Sequence, residues 1–232
     1  MLASGFSVLT IGLLWLADER VTHVTVPPDG KAAESRLINV VKSERTTPEY
    51  RADAMRNLAI VGSKQAVPAL AEWLYDERTS HMARYALEPI PDPAVDDALR
   101  EALGKAKGKV RIGLMSSIGV RRDAKAVPLL AKFLSDADAE AAGAAARALG
   151  SIGTAEAAKA LQGALDSVAP ENSTMLLNLC EGILRAAERL AAAGDQKSAR
   201  ALYDRLLKVP KLPRHVRTAA MQGLVSLTGE KQ

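Results

Sequence analysis

The sequence predicts an all-α protein: an α-α superhelix of about five helical hairpins stacked in a row, closed by one terminal capping helix. Three observations carry this. From Leu58, Leu87, Ile118, Leu149 and Leu190 alike, leucines follow twelve and sixteen positions later: Leu70 and Leu74, Leu99 and Leu103, Leu130 and Leu134, Leu161 and Leu165, Leu202 and Leu206. The apolar mass is Leu, Ala and Val, with aromatics at only 3%, which suits close-packed helices rather than a β-sandwich. Each hairpin is too small to hide its own leucines, so only a neighbour stacked on it can bury them.

In order, Leu2 to Ala17 is almost entirely apolar or small and is stopped by Asp18, Glu19 and Arg20. Residues 1–17 read as the apolar region of a secretory signal peptide or as an N-terminal apolar helix. They are too short for a stable membrane span, which needs about 20 residues. An export signal would place the mature chain outside the cytoplasm, in the periplasm. Residues 18–31, with Pro27, Pro28 and Gly30, read as a linker. Residues 32–232 form the repeat domain, opening with a degenerate unit that carries Leu37, Val40 and Val41.

Thr47 caps the next helix and Pro48 begins it, where a missing N–H is harmless. Gly62 and Ser63 break it. Asp92 and Pro93 repeat that start after the proline-rich break Glu88 to Pro93. Asp136 or Asp138 caps the helix leading to Leu149. Asn172 caps a longer run to Ala192. It is also a glycosylation sequon on paper, but capping explains it better. The anchors fall 29, 31, 31 and 41 residues apart, so the interval leading to the fifth anchor is long. Pro210 and Pro213 end that unit, and a last helix from about Arg214 to Leu227 covers the final apolar face.

The segments LAIVGSKQAVPAL (58–70), IGVRRDAKAVPLL (118–130) and LGSIGTAEAAKAL (149–161) resemble bacterial HEAT-repeat proteins of the phycobilisome-lyase HEAT-like type. Gly194, Ala199 and Tyr203 give the fifth unit a tetratricopeptide look. The resemblance implies a HEAT-like solenoid used to bind or scaffold another protein through its concave face. In such a stack the second helices are expected to line a shallow groove.

Chemistry is sparse. The single cysteine, Cys180, excludes an intrachain disulfide and a CxxC site, and its apolar helical setting reads as an inert thiol. His23, His81 and His215 lie far apart with no metal-ligand spacing. No nucleophile elbow, phosphate loop or dinucleotide fingerprint occurs, and Gly150 and Gly153 read as turn residues. No catalytic residue, cofactor or metal is therefore expected. Asp96, Asp97 and Glu101 read as a solvated acidic face. The net charge is +4, with pI about 9.2.

Two basic clusters stand out. One is Lys105, Lys107, Lys109, Arg111, Arg121, Arg122, Lys125 and Lys132. The other runs from Lys197 to Arg217. Within the first, Arg111, Arg121, Arg122, Lys125 and Lys132 are the candidate interaction surface, with arginines able to grip a carboxylate or phosphate. The functional expectation is a non-catalytic scaffold with a protein partner. The alternatives are a nucleic-acid-binding protein using the basic clusters, against which the low aromatic content argues, and a chromophore-lyase-like enzyme by fold analogy.

Overall fold

The computed structural model describes residues 30–169, 172–210 and 212–229, and all its regular structure is helical. Residues 1–17 and most of the linker lie outside the described residues. The first helices of successive hairpins are α2 (Pro48–Val61), α4 (Ser80–Leu87), α6 (Gly108–Arg121), α8 (Ala139–Ile152) and α10 (Ser173–Ala192). Their second helices are α3 (Val67–Ala71), α5 (Pro93–Lys105), α7 (Val127–Lys132), α9 (Ala155–Ser167) and α11 (Gln196–Leu207). A half unit, α1 (Gly30–Lys42), precedes them, so Gly30 and Lys31 are helical rather than linker. The closing helix is α12 (Arg214–Gly229).

The starts follow local chemistry. Thr47, Asp92, Asp138, Thr154, Asn172 and Asp195 each accept a hydrogen bond from a backbone N–H of the turn they open. Pro48 and Pro93 occupy the first helical position. The second helices of the first and third hairpins are composite. Ser63 and Asp123 cap 3₁₀ turns at Lys64–Ala66 and Ala124–Ala126, and short α-helices begin at Val67-Pro68 and Val127-Pro128.

The first helices pack in the order α2, α4, α6, α8, α10, α12, and one apolar core runs through the stack from Leu37 to Leu227. Leu58, Leu87, Ile118 and Leu149 are fully buried, as are Leu70, Leu74, Leu99, Leu130 and Leu161. The fifth anchor differs from expectation. Gly150 follows Leu149 and meets Gly182, whose neighbour Ile183 is fully buried, so Ile183 is the equivalent of Leu149. Leu190 lies seven residues, or two helical turns, further along the same face. The long interval therefore reflects a longer α10, at 20 residues against 14 in α8.

Gly150 is not a turn residue. It sits inside α8, while Gly153 ends that helix at φ +65°. A Cβ at Gly150 would lie 2.5 Å from Gly182 O and 2.9 Å from Gly182 Cα. A Cβ at Gly119 would lie 2.9 Å from Ala148 Cα, and one at Gly182 would lie 2.7 Å from Ala146 O. Helices α6, α8 and α10 thus touch backbone to backbone.

The second layer is looser: α7 and α9 part to leave a cleft of about 540 Å³. The first helices are thus the more tightly packed layer.

Gly150→Ala is expected to lower stability by about 1–3 kcal/mol, because the new methyl meets backbone that cannot rotate away. Gly163→Ala, in open space on α9, is expected to raise it by about 0.5–1 kcal/mol through helix propensity. Urea unfolding midpoints of the two variants check both signs.

Candidate functional site

On each first helix, the residues two before and two after the buried anchor point away from the core, because both lie about 200° around the helix from it. The earlier row is Arg56, Tyr85, Ser116, Arg147 and Glu181. The later row is Ile60, Pro89, Val120, Ser151 and Arg185. None of the ten is buried. Ile60 is 78% exposed, Val120 62% and Tyr85 52%, values far from a core position. The apolar members of this face, Ile60, Tyr85, Pro89 and Val120, thus all belong to the first three hairpins, whereas the last two present only polar ones.

Across α6, α8 and α10 these rows share a shallow depression of about 190 Å³, lined by Ser116, Val120, Arg147, Ser151 and Arg185. That is too small for a typical small-molecule site, which occupies about 300–1,000 Å³, and fits single side chains. Arg147 Nη1 donates to Asn178 Oδ1 at 3.5 Å, and Arg185 Nη1 donates to Ser151 Oγ at 3.3 Å. Both partners are neutral. Glu181 Oε1 lies 3.5 Å from His215 Nε2 of α12. The sequence missed these rows. Their signal was present, as exposed-phase positions counted from each anchor, but Ile60 and Val120 look like core residues when read singly.

The candidate surface Arg111, Arg121, Arg122, Lys125 and Lys132 divides into two groups. Arg121 is the last residue of α6 and reaches back to the preceding hairpin. Its Nη1 donates to the carbonyls of Glu88 and Ile90 at 2.8 and 2.7 Å, its Nη2 to that of Asp92 at 3.2 Å, and its Nε pairs with Asp96 at 2.5 Å. Arg111 donates to Ala106 O, pairs with Asp136 at 3.0 Å and lies over the Phe133 ring. These two side chains hold neighbouring units together. Arg122, Lys125 and Lys132 are exposed, and Arg122 ends α6 in the left-handed region at φ +56°.

The acidic face is also engaged: Asp96 by Arg121, Asp97 by Arg100 and Glu101 by Lys105 at 2.7 Å. Arg100 also bridges to Asp123. Arg84 joins α4 to α6, donating to Gly113 O at 3.1 Å and Ser117 Oγ at 3.0 Å.

Burial pushes the Cys180 thiol up to about 11, so at neutral pH it is protonated and unreactive. Among the described residues no group of three or more His, Cys, Asp or Glu side chains could hold a metal ion, and no helix is long and apolar enough to cross a membrane. His23 lies outside the described residues. The larger cleft between α7 and α9 offers Asp136 and Asn172 as polar lining, but Asp136 is paired with Arg111 and Asn172 caps α10.

Arg121→Ala is expected to cost about 1–3 kcal/mol, since it strips buried carbonyls of their donor. Arg122→Ala should change stability by less than about 0.5 kcal/mol. Equal effects in thermal or urea unfolding would contradict the distinction.

A model of HEAT repeats matches residues 96–174, about a third of the chain and centred on α6 to α9. None of the curated proteins matches. Among solved structures, an engineered protein is similar at 21% identity and a TM-score of 0.47, covering 84% of this chain and 97% of its own. A designed armadillo repeat protein is similar at 19% identity and 0.43, covering 84% and 99%. Human deoxyhypusine hydroxylase in complex with glycerol is similar at 18% identity and 0.42, covering 86% and 75%. The chain is an all-helical stack of hairpins whose residues 96–174 match HEAT repeats.

Proposed function

We propose that this protein is a non-catalytic scaffold that binds another protein along the exposed side of its first helices, taken as the inner face of the stack. The observation that carries this reading is the exposure of Ile60, Tyr85 and Val120 on the outward side of three neighbouring helices. Apolar side chains aligned on one exposed face are a feature of interaction surfaces, whereas scattered ones need no explanation. A row repeated by the solenoid gives a partner several anchors at fixed spacing.

The nucleic-acid alternative draws less support. In the first basic cluster Lys105, Lys109, Arg111 and Arg121 are paired with Glu101, Glu77, Asp136 and Asp96, which weakens the local field that phosphates would meet. A chromophore-lyase-like activity rests on fold analogy alone.

The test is site-specific photo-crosslinking in native cells, with benzoylphenylalanine replacing Val120 in one variant and Lys159, exposed on α9, in another. The reading expects a protein adduct from position 120 that disappears when Tyr85→Asp is added. No adduct at position 120, or equal adducts from both positions, would contradict it.

A further inference from the structure

We infer that the partner segment is extended, apolar at one end and acidic at the other, with its carboxylates held by Arg147 and Arg185. This rests on the inner-face reading above and adds the chemistry and direction of the ligand. Charge sets the direction. Of the ten outward positions, the apolar ones, Ile60, Tyr85, Pro89 and Val120, belong to the first three hairpins, whereas α8 and α10 present Arg147, Ser151, Glu181 and Arg185.

The two arginines bond only neutral groups, Asn178 and Ser151, so two guanidinium charges stand in these rows against the single carboxylate of Glu181. Arg56, at the apolar end, is paired with Asp53. Glu181 lies against His215, and Glu188, on the added turns of α10, faces the cleft beside α12. A positive excess therefore stands at one end of an apolar row.

Guanidinium groups beside a serine hydroxyl match a carboxylate in geometry and charge. The depression they share with Val120 admits a side chain rather than a separate ligand. Adjacent helix axes lie about 9 Å apart, so five helices span about 36 Å, the reach of about eleven extended residues.

The probe is a phage-displayed library of random peptides about a dozen residues long, selected on the full chain, with the best binder then measured by fluorescence polarisation. Enriched peptides are expected to carry aliphatic or aromatic residues at one end and Asp or Glu at the other. The double variant Arg147→Glu/Arg185→Glu should weaken the binder about tenfold or more, with an unchanged unfolding midpoint. Replacing the peptide's acids by lysines should restore binding to that variant, which mere structural damage cannot produce. Arg122→Glu/Lys125→Glu should leave affinity unchanged.

Binders that are basic or uncharged, or that ignore the Arg147 and Arg185 reversal, would overturn this inference while leaving the inner-face scaffold standing. Self-association abolished by Val120→Glu would overturn it in favour of a second copy. Labelled duplex DNA bound through Arg147 and Arg185, together with no enriched peptide, would overturn both this inference and the protein-scaffold reading.

Discussion

The architecture depends on one contact: the backbone of α8 pressed against α6 on one side and α10 on the other. Gly119, Gly150 and Gly182, with Ala146 and Ala148, leave no side chain between the helices. Such closeness sacrifices helix propensity at three glycines and in return brings peptide groups and methyls into dense van der Waals contact. It also explains why α8 is so rich in alanine. A helix closely flanked on two sides has room for methyl groups and little else, and positions 141–146 are all buried.

From that contact follows the difference between the two layers. The first helices crowd together and direct their outward residues onto a common surface. Among the second helices, α3 and α7 are short and entered through 3₁₀ turns, and α7 and α9 stand apart. Arginines then stitch hairpin to hairpin. Arg51 reaches the carbonyls of Val41, Ser43 and Thr46 while stacking on Trp73, Arg84 joins α4 to α6, and Arg121 returns to the break at Glu88–Asp92. These polar ties saturate carbonyls at helix ends, where a chain turning back on itself would otherwise bury unpaired acceptors.

Much of the fold was legible in the sequence because burial is periodic and caps are local. The leucine spacing marks the core, and Thr47, Asp92, Asp138 and Asn172 announce their helices through side-chain chemistry that needs no tertiary context. The limits are equally physical. Leu190 shares a face with Ile183, so a pattern in leucines alone places the fifth anchor two turns late. Gly150 looks like a turn residue until the neighbouring helix is known to touch it. Arg121 and Arg122 are adjacent and chemically identical, yet one is engaged by the preceding hairpin and the other faces water. The candidate site was the least legible part, because a surface row is defined by which helices are neighbours.

The backbone contact between α6 and α8 is the point on which everything else rests, and a graded size series at position 119 tests it directly. A Cβ there would lie 2.9 Å from Ala148 Cα, so Gly119→Ala, Gly119→Val and Gly119→Leu should lower the urea unfolding midpoint step by step, each larger side chain forcing α6 and α8 further apart. A series that leaves the midpoint unchanged, or raises it with helix propensity, would contradict the account.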